Sequence, residues 1–285
     1  MKAGALFITE QMQLRVIPVV FRFAKSNRDV ASCKVLEMCI YSSPFGLHSS
    51  FKFLIMQITY YGHSCFGIEI EGKHLLFDPF ITGNELAKHI SLKDIRADFI
   101  LLSHGHSDHT ADVEALAKDR KGCRIISNYE IVSWFEKKGI PGHPMNFGGA
   151  FPFGFGKVKM VQAIHSSVLA DGTYAGNPGG FVIESKEGNI YYAGDTALSL
   201  DMQLIPPRTR LDLAILPIGS NFTMDYTDAA VAADYVRCNQ ILGMHYDTFG
   251  YIRVDHAAAK RAFAERGKLL TLMEVGETRD FKCGR

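Results

Sequence analysis

Between positions 103 and 109 the chain reads Ser103-His104-Gly105-His106-Ser107-Asp108-His109, placing four potential metal ligands within six residues. Neutral imidazole nitrogens and a hard carboxylate oxygen suit zinc, iron or manganese. His104 and His106, two apart on an extended segment, can turn to one ion, while Asp108 and His109 can address a second. Gly105 supplies a position without a side chain, where the segment is expected to bend sharply. The plainer reading is a surface loop that happens to be rich in histidine. Against it stands the apolar run 97–102 just upstream, because loops at the ends of buried strands commonly carry function.

The run resembles the HxHxDH signature of the metallo-β-lactamase superfamily. That resemblance implies an α/β fold, an αββα four-layer sandwich of two mixed β-sheets flanked by helices, with metals at one edge of the sheets. It also implies three further ligands in a set order downstream. His165 follows Val161-Gln162-Ala163-Ile164, Asp195 follows Tyr192-Ala193-Gly194, and His245 follows Gly243-Met244. Singly each is weak, since an isolated histidine after a strand is more often a satisfied polar residue and a Gly-Asp pair usually just a turn. In their joint order the resemblance assigns His104, His106 and His165 to one metal, and Asp108, His109 and His245 to the other, with Asp195 between them. Zinc is the first expectation for these two divalent ions, with manganese or iron as alternatives.

Other stretches extend the likeness across most of 56–277: Gly62-His63-Ser64-Cys65-Phe66, Phe77-Asp78-Pro79-Phe80, Pro217-Ile218-Gly219, Asn221-Phe222-Thr223-Met224 and His245-Tyr246-Asp247-Thr248-Phe249. They are similar to one branch, small metal-dependent hydrolases of bacteria and archaea related to ascorbate-6-phosphate lactonase. The branch implies a metal-bridging hydroxide that attacks a small lactone or carboxylic ester, with Asp108 orienting it or relaying a proton. A phosphodiesterase acting on a small nucleotide or phospholipid headgroup is the alternative. A non-catalytic metal-binding module is the reading from outside enzymology, and all seven filled ligand positions weigh against it.

Three residues stand beside the ligands as candidates for substrate contact or ligand support: His63, Asp78 and Thr223. For His63, lining the pocket competes with a merely structural turn. Asp78 is expected to support the metal loop as an acceptor rather than bind metal. Cys65 reads as a small buried residue, not a nucleophile. His48, His74, His89, His143 and His256 have no ligand-like context. Of the two Gly-rich stretches, 147–156 reads as a turn with core aromatics and 171–180 as a pocket wall.

Elements able to position such a site follow from the patterning. Strands are expected at 58–61, 66–70 and 73–77, with Glu71-Gly72 as a hairpin turn. Further strands are expected at 97–102, 124–127, 158–163, 180–184, 190–193, 213–216, 241–244 and 269–273. Helices are expected at 112–118, 130–138, 227–237 behind Asp225 and Thr227, and 255–265 closed by Gly267. Strands followed by mixed β/α units thus occur twice. Residues 1–55 lack sustained periodicity and read as an N-terminal extension, either dispensable with Met56 as a start or a docking arm. Residues 56–285 form the hydrolase-like domain.

The 285 residues, 47% hydrophobic and 21% charged, are ordinary for a soluble globular chain. No uncharged apolar run of about 18 residues suggests a membrane span. Residues 1–55 hold seven basic and three acidic side chains, and the remainder 24 and 27, against a formal net of +1. That mildly acidic remainder argues against a nucleic-acid or membrane-surface partner and for a small-molecule substrate, and leaves a homo-oligomer open. Lys2 opens a brief apolar stretch that Glu10 interrupts, which is a poor secretory signal. Six cysteines with no CxxC pair suit a reduced, cytoplasmic setting.

Overall fold

The computed structural model describes residues 35–40, 49–118 and 120–284. Residues 1–34 and His48, and with them most of the expected extension, lie outside the described residues. A first sheet is built in chain order from β1 (Val35–Ile40), β2 (Ser49–Gly62), β3 (Cys65–Ile70), β4 (Lys73–Phe77), β5 (Phe99–Leu101), β6 (Arg124–Asn128) and β7 (Gly142–Met145). A second follows from β8 (Ala150–Phe153), β9 (Gly156–Gln162), β10 (Gly179–Glu184), β11 (Asn189–Tyr192), β12 (Leu213–Pro217), β13 (Gln240–Met244) and β14 (Leu269–Thr271). The last strand, β15 (Thr278–Gly284), returns to pair with β2 of the first sheet. β2 runs without a break through position 56, where the expected domain boundary falls.

Each sheet begins antiparallel and ends parallel. In the first, β2 to β4 pair antiparallel and β4 to β7 parallel; in the second, β8 to β11 are antiparallel and β11 to β14 parallel. Parallel neighbours need crossovers, and these carry the helices: α1 (Ser107–Thr110), α2 (Val113–Lys118), α3 (Tyr129–Glu136), α4 (Tyr226–Tyr235) and α5 (His256–Ala264).

Strand period sorts the apolar residues into layers. Phe66, Ile68, Leu75, Phe77, Leu101 and Ile126 face the second sheet and meet Val158, Phe181, Ile183 and Tyr192. The alternate positions Cys65, Leu76, Ile100, Leu102 and Ile125 face outward and meet Val113, Leu116, Ile131 and Phe135 of α2 and α3. Ala229, Ala233, Ala259 and Phe263 of α4 and α5 pack on the second sheet. The observed layer order is therefore αββα, the one the resemblance implies. Each fully buried Phe, Ile or Leu contributes about 1.5–3 kcal/mol through this burial.

Caps fix the helix starts. Asn128 accepts from Ile131 N–H, Asp225 from Thr227 and Asp228 N–H, and Asp255 from Ala257 and Ala258 N–H. Asp112, expected inside a helix, instead stands before α2, and its carboxylate takes the backbone N–H of Ile81 and Thr82 at 2.5 and 2.9 Å. The stretch 147–156, expected as a turn, contains strand β8, which among the described residues is an edge strand paired with β9 alone. Pro152 is tolerated there because an edge strand can leave one face of its ladder undonated. Among the described residues no helix is long and apolar enough to cross a membrane.

Candidate metal centre

The chemistry-bearing residues all follow strand C-termini on one edge of the sandwich. His63 follows β2, Asp78 follows β4, the 104–109 segment follows β5, His165 follows β9, Asp195 follows β11 and His245 follows β13. Three of them sit in the left-handed backbone region, His63 at φ 57, Asp78 at φ 39 and His245 at φ 54. Non-glycine residues held there cost about 1–3 kcal/mol each and cluster where a site over-determines them.

The HxHxDH segment is threaded rather than floating. His106 caps α1, which places Asp108 and His109 in that short helix. Thr110 Oγ1 donates to the His106 carbonyl at 3.0 Å. Gly105 does not bend sharply: its φ is ordinary. Its role is close approach, since a Cβ there would lie 2.4 Å from Ala175 Cβ. The Gly-rich stretch 171–180 thus packs behind the loop instead of lining the cavity, tied down by Asn128 Nδ2 donating to the Ala175 carbonyl at 2.7 Å.

Behind the segment, one buried carboxylate organises the rest. Asp78 Oδ2 accepts from Ser103 Oγ at 2.5 Å, from Tyr192 Oη at 2.7 Å and from His109 Nδ1 at 2.9 Å. Its Oδ1 accepts from Ser103 N–H at 2.8 Å. Because a carboxylate cannot donate, His109 Nδ1 carries the proton and its Nε2 points into the site. Ser103 Oγ spends its proton on Asp78 and so accepts from His104 Nδ1 at 2.9 Å, which leaves His104 Nε2 bare. Asp78 therefore sets the tautomers of two histidines, as outer partners of metal-binding imidazoles do.

The ligand atoms fall into groups close enough to hold a divalent ion. In one, His104, His106 and His165 lie within 4.8 Å of one another, with His104 Nε2 and His106 Nδ1 only 2.9 Å apart. The other comprises Asp108, His109, His245 and also His63. Asp195 Oδ2 sits between them, 2.9 Å from His245 Nε2, 3.3 Å from His109 Nε2 and 3.7 Å from His165 Nε2. Among the described residues, His109 Nε2 and Asp195 Oδ1 are buried without a hydrogen-bond partner. Buried polar atoms are nearly always paired, so these orphans and the N/O donor set fit a cation.

Charge and burial tune the groups in opposite directions. Burial and the His109 charge hold His104 well below 6.5, and burial likewise lowers His106 and His165. His63, fully buried and close to His245, is lowered to about 4. Burial would raise Asp195, but His245 and His109 hold it well below the ordinary carboxylate range. For Asp108 the opposing burial is outweighed by the hydrogen bond from His63 and the charge of His109, which keep it low. His63, His104, His106 and His165 are thus held neutral and Asp108 and Asp195 ionised, the forms that bind metal.

A cavity of ≈ 600 Å³ opens over this centre, with His106, Asp108, His165, Asp195 and His245 at its floor and Phe222, Phe249 and Tyr251 at its rim. His63 does not line it; it lies beneath, bonded through Nδ1 to Thr248 Oγ1 at 3.0 Å and through Nε2 to Asp108 Oδ2 at 3.2 Å. Thr223 stands apart as well. Its hydroxyl donates to the Met224 carbonyl at 3.3 Å, and its neighbour Phe222 supplies the wall. Cys65 is fully buried, and burial pushes its thiol well up.

Residues 57–245 match the profile of the Beta-lactamase superfamily domain. The chain belongs to the β-lactamase superfamily. Within this superfamily it is 57% identical over 223 residues to a UPF0173 metal-dependent hydrolase of Flavobacterium johnsoniae, covering 78% of this chain and 99% of that one. It is 44% identical over 230 residues to the UPF0173 metal-dependent hydrolase YtkL of Bacillus subtilis, with the same coverage of 78% and 99%. Among solved structures, the metallo hydrolase Igni18 of the archaeon Ignicoccus hospitalis superposes with a TM-score of 0.73 at 33% identity, over 80% of this chain and 98% of that one. The superfamily member described here is accordingly one of the UPF0173 metal-dependent hydrolases.

Proposed function

We propose that this hydrolase opens a small lactone or cleaves a small carboxylic ester of apolar character, at a centre holding two divalent ions. His104, His106 and His165 would hold one ion and Asp108, His109 and His245 the other, with Asp195 between them. Zinc suits this imidazole-rich set better than manganese does. Ions bound there would supply an activated water at neutral pH and a Lewis acid for the electrophile's oxygen.

The cavity wall carries the substrate assignment. Among the described residues its lining contains no lysine or arginine, and its rim is aromatic, with Tyr251 79% and Phe222 52% exposed. A phosphodiester is ordinarily gripped by guanidinium or ammonium groups, so this lining favours an uncharged acyl substrate. Its volume lies in the range of about 300–1,000 Å³ common for small-molecule sites. Asp108 is held ionised at the cavity floor and serves to accept the proton from the attacking water. The rim excludes water and orients the acyl group.

Elemental analysis of purified protein, paired with turnover of fluorogenic lactones, esters and phosphodiesters by wild type and His106→Ala, tests this. Transition metal in the wild type and ester or lactone turnover lost in the variant is the expected result. Phosphodiester turnover alone, or ester turnover indifferent to the variant, would overturn it.

A further inference from the structure

Away from the metal centre, the outer face of the second sheet is covered unevenly. α4 packs on β12 and α5 on β14. Lys159, Val182 and Tyr191 are direct cross-strand neighbours on β9, β10 and β11, and that row lies under the short helical turn Leu200–Leu204. A cavity of ≈ 240 Å³ opens between turn and sheet, walled by Phe147, Val161, Met202, Leu204 and Ile205 around the row.

Polar groups converge on this apolar space. Tyr191 is 1% exposed, lines the cavity, and its hydroxyl has no hydrogen-bond partner among the described residues. Burial alone pushes its phenol up, with no neighbour contributing. Lining the cavity, that hydroxyl can donate to whatever fills it. Lys159 and Arg208 stand on the same wall with no ion pair among the described residues. The acid close to Lys159, Glu184, is engaged by Lys157 and by the Thr209 hydroxyl. One acid, Asp201, shares the wall, leaving an excess of positive charge.

We infer that this cavity is a second ligand site, separate from the metal centre, for a small amphipathic monoanion: a carboxylate carrying a short hydrocarbon tail. The tail fills the apolar space, where each buried methylene adds to affinity by leaving water. The carboxylate sits between Arg208 and Lys159, and the Tyr191 hydroxyl donates to it. Asp201 on the wall disfavours a doubly charged phosphate.

Titrating the full chain with octanoate, followed by calorimetry, tests the site. Saturable binding is expected, roughly tenfold or more weaker in the Lys159→Ala/Arg208→Ala double variant and unchanged in His106→Ala. Tyr191→Phe, which removes only the hydroxyl, should weaken binding as well, and 1-octanol should bind less tightly than octanoate. Absence of saturable binding would overturn the inference. So would binding that His106→Ala abolishes while the double variant leaves it intact, since the carboxylate would then be held at the metal centre.

Discussion

His63 Nε2 lies 3.2 Å from Asp108 Oδ2, joining residues 45 positions apart in the chain. The same histidine accepts His245 N–H on its backbone carbonyl at 2.9 Å, and its ring lies 4.2 Å from that of His245. One buried residue thus braces two members of the centre, one by its side chain and one by its main chain.

Replacing His63 by alanine should therefore lower metal affinity or turnover by about 10–100-fold, the usual cost of losing an outer partner. His63→Asn should recover part of the loss, because asparagine tolerates the left-handed backbone and keeps an amide donor. Metal titration and steady-state kinetics on both variants check this; equal defects would mean that the side chain's hydrogen bonds are irrelevant.

Asp78→Asn replaces an oxygen that receives donors with a group that donates. With His109, Ser103 and Tyr192 all directed at this buried carboxylate, the change should cost about 3 kcal/mol. For a domain of this size that is roughly 6–12 °C in Tm. Thermal unfolding measured with and without added zinc gives the readout, and the variant should gain less from zinc than wild type does.

Burial alone would lower His109, yet Asp195 and Asp78 together raise it well above 6.5. In the metal-free protein it is consequently protonated at neutral pH, with Nδ1–H on Asp78 and Nε2–H toward Asp195. An ion ligated through Nε2 must displace that second proton, so loading at pH 7 should release about one proton per chain from this residue. Release should fade at pH values above the raised His109 pKa, where the proton is already gone. Calorimetry in buffers of differing ionisation enthalpy measures it, and a heat independent of buffer would contradict the assignment.

At the cavity rim, Phe222 and Tyr251 contact each other with ring centroids 6.4 Å apart. Truncating both to alanine should raise KM for long-chain acyl substrates by about 5–30-fold, corresponding to 1–2 kcal/mol of lost apolar contact. Acetyl esters should respond far less. A uniform loss of kcat across chain lengths would mean that the rim holds the floor in place instead of gripping substrate.

Much of the centre is legible in the sequence, for reasons that differ from residue to residue. His104, His106, Asp108 and His109 announce themselves because four ligand types crowd a short segment after an apolar run. His165, Asp195 and His245 have no local mark and become readable only through their order behind successive strands. Tyr192 and Thr248 stay hidden. A tyrosine whose hydroxyl meets a carboxylate 114 residues away looks like any buried aromatic in a strand. Gly105 was legible as a glycine that matters but not as one crowded by Ala175, because that neighbour arrives from a distant loop. Among the elements, β7 (Gly-His-Pro-Met) and β8 (Ala-Phe-Pro-Phe) escape because glycine and proline depress the strand pattern.

The centre draws His104, His106, Asp108 and His109 from behind the first sheet and His165, Asp195 and His245 from behind the second. Neither half of the chain owns it. An ion seated there would act as a clasp across the seam between the halves, so losing it would loosen their grip on each other as well as silence the chemistry. If the chain were severed between β7 and β8, the two pieces would have to find one another before either could hold the ion, and occupancy would become a report on their reunion.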